Sequence, residues 1–205
     1  TQNRMTLVTA YNDVTGKRED IINDNSDSIR NVLMFGTLCC DSSVIVNEDG
    51  EKHIGDPTET SIVFAAYKNN LIKDKLNAEY PRLSTLPFDS DRKLMTTVNN
   101  INGKITVIVK GAVDVLTEKC ISGNIEKVKT IAEEMSSGAL RVIAIAYKII
   151  ESVPDNPTIE ELENELHFLG LVGMIDPPRE EAKDAVSICR DAGIKPVMIT
   201  GDHIV

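Results

Sequence analysis

Asp176-Pro177-Pro178-Arg179, running on through Met198-Ile199-Thr200-Gly201-Asp202-His203, reads as hinge, helix, strand and then a polar Thr-Gly-Asp at a strand's end. Open α/β sheets place their chemistry at the carboxyl ends of parallel strands. Working outward, Phe168 to Ile175 is a continuous apolar run, the pattern of a strand buried on both faces. Arg179 to Ala192 is amphipathic, with Ala182, Ala185, Val186 and Cys189 on the inward face. Gly193 fits just past the helix end, and Pro196 to Ile199 reads as the next strand. The change of pattern near residue 170 is the best domain boundary. The last residue, Val205, lies two beyond His203, so the chain reads as ending inside an active site.

Upstream the period differs. Met5 to Tyr11 suggests a strand, Asp13 to Ser28 a polar loop, and Ile29 to Cys40 a helix. Asp49-Gly50 marks a turn. Asp56-Pro57-Thr58-Glu59 is a helix start, with Asp56 as N-cap, Pro57 in the first turn and Glu59 closing a capping box. A second helix is expected around Leu71 to Tyr80. Arg82–Phe88, Leu94–Asn99 and Lys104–Lys110 read as strands, and Asn102-Gly103 closes a hairpin between the last two. Helices are expected over Gly111–Cys120 and Ile125–Met135. Arg141 to Ile150 alternates, with Val142, Ala144 and Ala146 opposite Arg141, Ile143, Ile145 and Tyr147. Thr158 and Glu161 form a capping box for a short helix.

Composition narrows the functions. The 205 residues are 41% hydrophobic and carry a net charge of −10, without a basic run or aromatic-basic interleaving, so nucleic acid is not the expected partner. Cys39, Cys40, Cys120 and Cys189 make no Cys-x-x-Cys pair, and His53, His167 and His203 are scattered, which disfavours a zinc site. The longest apolar runs fall well short of the roughly 20 residues a membrane helix needs, so no membrane insertion of this chain is expected.

Phosphate-binding loops of the Walker and Rossmann kinds are absent. Other residues could still form a site. Lys110-Gly111-Ala112 lies where a strand meets a helix, and Gly111 would let backbone approach a ligand. The alternative is a solvated lysine at a strand end. Phe88 and Lys93 flank the turn Asp89-Ser90-Asp91-Arg92, so the ring could stack on a base while Lys93 reaches phosphate. Phe88 could equally be core. Met95 could share the face of Lys93. Glu59 could accept from an amino group beside Thr58, or only cap its helix. Arg141 could meet phosphate or a surface carboxylate. Asp176 and Arg179 bracket two prolines, as a hinge or as a stiff loop.

In this order the motifs closely resemble the cytosolic part of a P-type ATPase. They are Gly55-Asp56-Pro57-Thr58-Glu59, Pro87-Phe88 with Asp91-Arg92-Lys93, Lys110-Gly111-Ala112, Asp176-Pro177-Pro178-Arg179 and Met198 to His203. Type II cation pumps, and calcium pumps among them, are nearest. Thr1-Gln2-Asn3 is similar to the tail of the family's phosphorylation signature. The resemblance implies an α/β (α+β) fold, with an antiparallel sheet flanked by helices plus a short Rossmann-like fragment of haloacid-dehalogenase type. It implies phosphorylation-domain edges at 1–6 and 171–205 around a nucleotide-binding domain at 7–170, with the hinge where strands cross near 7 and 171.

Carried onto this chain, the resemblance stacks adenine on Phe88 and brings Glu59, with Thr58 beside it, to the adenine amino group. Lys110, Gly111 and Ala112 would line the pocket with Met95 nearby. Lys93 and Arg141 would face the phosphates, and Ile143 the sugar or base. Thr200, Gly201 and Asp202 would form a partial phosphoryl site. Ser90 departs from an arginine common in animal calcium pumps, and Arg92 could replace that contact. The implied ligands are ATP or ADP with Mg2+, whose own ligands fall mostly outside this chain. The implied partners are transmembrane, actuator and remaining phosphorylation domains of one polypeptide, at the cytoplasmic face of a membrane. ATP hydrolysis through an aspartyl phosphate would drive transport, with calcium the expected cation. The chain itself, without the phosphorylated aspartate, is expected to bind nucleotide and not to hydrolyse it. A haloacid-dehalogenase-type phosphatase with a large cap is the alternative.

Overall fold

The computed structural model describes residues 4–48, 50–155, 157–177 and 180–197. Its strands are β1 (Thr6–Asn12), β2 (Lys17–Asp20), β3 (Ser43–Asn47), β4 (Gly50–Ile54), β5 (Arg82–Asp89), β6 (Leu94–Ile101), β7 (Lys104–Gly111), β8 (Cys120–Ser122), β9 (Arg141–Ile150) and β10 (Leu166–Ile175). Its helices are α1 (Asp27–Leu38), α2 (Pro57–Lys68), α3 (Lys73–Glu79), α4 (Val113–Glu118), α5 (Ile125–Ser137), α6 (Ile159–Leu162) and α7 (Glu180–Asp191). One sheet runs in the order β2-β1-β10-β9-β7-β6-β5, with β8 joining β10, and β3 and β4 form a separate hairpin.

Both faces of the large sheet are covered. On one side Ile29, Val32, Leu33 and Leu38 of α1 and Ile62 and Ala66 of α2 pack on Met95, Ile108, Ile145 and Val172. On the other, Leu116, Val128, Met135 and Leu162 from α4, α5 and α6 cover Val98, Val107, Val109, Ala144, Ala146 and Leu171. This explains the alternation in β9, whose two apolar sets enter opposite cores. Asn102 and Gly103 both take positive φ, 52° and 79°, as a two-residue hairpin between β6 and β7 requires.

Asp56 caps α2 by accepting from the Thr58 and Glu59 N–H groups at 2.8 and 3.2 Å. Asp56→Ala is expected to cost about 1 kcal/mol in urea unfolding. The reciprocal half of the expected capping box does not form, because the Glu59 carboxylate is turned inward to other donors. At α6 the box is complete: Thr158 and Glu161 bond to each other's backbone N–H.

Several expectations need correction. The apolar run Phe168–Ile175 does not open a parallel sheet. It lies in β10, central in the large sheet and antiparallel to both β1 and β9. Its pairing with β1 reaches from Gly170 opposite Asn12 to Ile175 opposite Thr6. The supposed loop Asp13–Ser28 contains β2, a polar strand that exists because β1 offers it an edge. The helix after Asp176 forms, but Ala182 and Ala185 are exposed, and only Val186 and Cys189 are partly covered. Its intended face finds no packed partner among the described residues. Pro196 and Val197 carry no strand, and Met198–His203, with the candidate residues Thr200, Gly201 and Asp202, lie outside the described residues, as does Arg179. No described helix is long and apolar enough to cross a membrane.

Candidate functional site

A pocket of about 470 Å3 opens where the start of α2 meets the adjoining ends of β5, β7 and β9. Its lining includes Thr58, Glu59, Phe88, Lys93, Lys110, Gly111, Ala112, Arg141 and Ile143, brought together from positions up to 85 residues apart in the chain (58 to 143). Three further lining residues, Asp56, Ile62 and Val142, were not read as site residues. Helical spacing offered a signal for one of them, since Ile62 lies one turn after Thr58. Met95 does not line the pocket. It pairs with Lys110 across the sheet and is 2% exposed, so it packs within the core. Asp176 does not line it either; its Oδ1 is buried with no hydrogen-bond partner among the described residues.

Phe88 is 60% exposed, a large apolar ring held in solvent at the pocket's edge. A bulge puts it there. Leu86 pairs with Thr96 and Asp89 with Leu94, so Pro87 and Phe88 together oppose Met95 alone. The additional residue turns the side chains of that segment, and Pro87, lacking an N–H, is suited to such a break in the ladder. The following turn is fixed by Asp89 Oδ1, which accepts from the Asp91 and Arg92 N–H groups at 3.0 and 2.8 Å. Lys93 closes the turn with φ 59°.

Gly111 has a different reason from the one expected. A Cβ there would lie 2.1 Å from the Lys93 carbonyl oxygen and 2.7 Å from Leu94 Cδ2. The glycine is needed first for close packing of the strand against β6. The Ala112 N–H then donates to that same Lys93 oxygen at 3.2 Å, tying the Lys110-Gly111-Ala112 segment to the turn beyond Phe88.

The floor is a buried ion pair. Lys110 Nζ donates to Glu59 Oε1 at 2.6 Å, and both residues are less than a tenth exposed. Glu59 Oε2 accepts from the Asp41 and Ser42 N–H groups, each at 2.8 Å. Burial alone would push the Glu59 carboxyl up, but the Lys110 ammonium and the Ser42 N–H outweigh it and hold the group down at about 2. Burial likewise opposes the Lys110 charge, while the Cys40 and Cys39 sulfurs and the Glu59 carboxylate raise its pKa overall. Oε1 retains a lone pair beyond the one facing Lys110, so Glu59 can still accept one hydrogen bond from a ligand.

Because folding depresses the Glu59 pKa, its contribution to stability is present above the ordinary carboxylate value. It is lost as pH falls from 4.5 toward about 2. Urea unfolding across that range is expected to show a loss of roughly 2–3 kcal/mol that Glu59→Gln removes.

Cations stand at the mouth. Arg141 is exposed, and its Nη1 donates to Thr58 Oγ1 at 3.1 Å. Lys93 is also exposed, with Nζ 3.9 Å from Asp114 Oδ2. Arg92 is not available as the replacement contact proposed for Ser90. Its guanidinium faces inward, donating to the Pro87 and Leu94 carbonyls at 2.5 and 2.9 Å. The site therefore combines an exposed aromatic face, apolar walls from Ile62, Val142 and Ile143, a charged floor and two cations at the entrance. That set suits a flat polar ring carrying an anionic tail.

The described residues thus form a mixed α/β fold, an antiparallel sheet flanked by helices, with this pocket at its strand ends. The sequence profile described as P-type ATPase, cytoplasmic domain N, matches residues 28–181, and the chain belongs to that family. It is 41% identical to calcium-transporting ATPase 1 of Bacillus cereus over 99% of this chain and 24% of that protein. It is 40% identical to the calcium-transporting ATPase of Bacillus subtilis, over 92% of this chain and 22% of that one. Cation-transporting ATPase pma1 of Synechocystis is 40% identical over 84% of this chain and 20% of its own length. The chain thus spans about a quarter or less of the curated relatives it matches.

Proposed function

We propose that the pocket binds ATP or ADP, as the nucleotide-binding part of a P-type cation-transporting ATPase with calcium as its cation. The observation that carries this is Phe88, exposed on a bulge beside a pocket with a charged floor and a cationic mouth. The adenine ring stacks on Phe88, and its amino group donates to the free lone pair of Glu59 Oε1. Lys93 and Arg141 neutralise the phosphates, while Ile62, Val142 and Ile143 exclude water from the base and sugar. Calcium rests on the names of the Bacillus relatives.

In the whole pump, at the cytoplasmic face of a membrane, the nucleotide domain delivers the terminal phosphoryl group to an aspartate, forming the aspartyl phosphate that drives transport. We assign residues 7–170 to the nucleotide domain and 1–6 and 171–205 to edges of the phosphorylation domain. Asp176 and Arg179 serve the hinge, and Thr200, Gly201 and Asp202 the phosphoryl group. Mg2+ accompanies the nucleotide phosphates, with its protein ligands mostly outside this chain.

Calorimetric titration with ATP tests the binding. An affinity in the high micromolar to millimolar range, about −4 to −5 kcal/mol, is expected. Phe88→Ala is expected to weaken it by about 1–3 kcal/mol, the worth of one aromatic–base stack. Unchanged affinity in Phe88→Ala would remove the stacking role.

A further inference from the structure

Glu163 lies just after α6, is 0% exposed, and takes no part in the pocket. A carboxylate is buried so completely only when it is paired. Its Oε1 stands 3.2 Å from Arg92 Nη1 and accepts from Thr96 Oγ1 at 2.5 Å. The segment carrying it is fixed from several sides. Thr158 and Glu161 cap α6, Leu162 is 1% exposed in the core, and Lys148 Nζ donates to the Glu161 and Asn164 carbonyls at 2.6 and 2.8 Å. Arg92 is therefore anchored at one end on rigid structure. Its other nitrogen, Nη2, bridges the Pro87 and Leu94 carbonyls, the two sides of the bulge that presents Phe88.

We infer that Glu163 and Arg92 form a strut that sets the Phe88 platform and thereby its stacking on the nucleotide base. The inference rests on the proposed nucleotide site and deepens it. Both are positioning residues, since neither lines the pocket. The strut draws on the planar fork of arginine. Nη1 stands against one carboxylate oxygen while Nη2 serves two carbonyls, a spread of donors that a lysine ammonium does not reproduce. Ordering the ring before the ligand arrives lowers the entropy lost on binding.

The test is a double-mutant cycle in ATP affinity, read by calorimetry, with the adenine proton shifts of the bound nucleotide followed by NMR. Glu163→Gln is expected to weaken ATP binding roughly three- to ten-fold and to reduce the upfield shift that the Phe88 ring imposes on the base. In a Phe88→Ala background the same substitution is expected to change neither quantity. Arg92→Lys, which keeps the positive charge beside Glu163, repeats the cycle should Glu163→Gln fail to fold. Wild-type affinity and shifts in both variants, with Phe88→Ala still weakened, would overturn the strut and leave the nucleotide site standing. A loss that persists undiminished without Phe88 would also overturn it. Wild-type affinity in Phe88→Ala would remove the stacking role and the strut's purpose with it, and an absence of ATP binding in the parent chain would remove the site reading itself.

Discussion

Glu59→Gln is expected to destabilise the chain by about 3–5 kcal/mol at neutral pH, the cost of leaving one member of a buried ion pair alone. The amide has one oxygen and one nitrogen where the carboxylate has two acceptors. If the oxygen accepts from Asp41 and Ser42, the NH2 group faces the Lys110 ammonium; if it turns to Lys110, the two backbone N–H groups lose their acceptor. Lys110→Met should cost less, roughly 2–3 kcal/mol, because Glu59 keeps its two backbone donors and can take up a proton. Combining the two removes the donor–donor conflict, so the double variant is expected to lie at least 1 kcal/mol above the sum of the singles. Urea denaturation of the four proteins checks this. Additive losses would mean that the pair is not coupled as its geometry requires.

Gly111→Ala is the second large effect. The added methyl would meet the Lys93 carbonyl oxygen at 2.1 Å, and that atom is backbone and cannot rotate away. A loss of about 2–3 kcal/mol is expected, at the upper end for overpacking. The relief available is to push Lys93 and the turn before it outward, which also shifts Phe88. Weakened ATP binding should therefore accompany the lower urea midpoint. A variant as stable as the parent would show that the approach of β7 to β6 is looser than described.

Local signals carried much of the fold. Asp56-Pro57 and Thr158 mark real helix starts, and Asn102-Gly103 a real hairpin, because each depends on neighbours along the chain. The pocket residues were legible mainly as ordered motifs. Their geometry was not. Glu59 sits at capping-box spacing, yet its partner is Lys110, 51 residues on, and a tertiary ion pair wins over a local cap. The bulge at Pro87-Phe88 depends on pairing with β6, which no spacing within β5 reveals. β2 lacks any apolar alternation and gains its strand form from the free edge of β1. β10 looked like a parallel strand because both its faces are buried, but helices on both sides of an antiparallel sheet produce the same apolar run.

The site and the strut depend on one claim, that an adenine nucleotide lies on Phe88 in this pocket. An amide NMR titration of the chain with ADP tests it most directly. Dose-dependent shifts are predicted at Thr58, Glu59, Phe88, Lys93, Lys110, Gly111, Ala112, Arg141 and Ile143, with β2, β8 and the outer face of α5 unmoved. Shifts clustered elsewhere, or none at these positions at millimolar ADP, would contradict it.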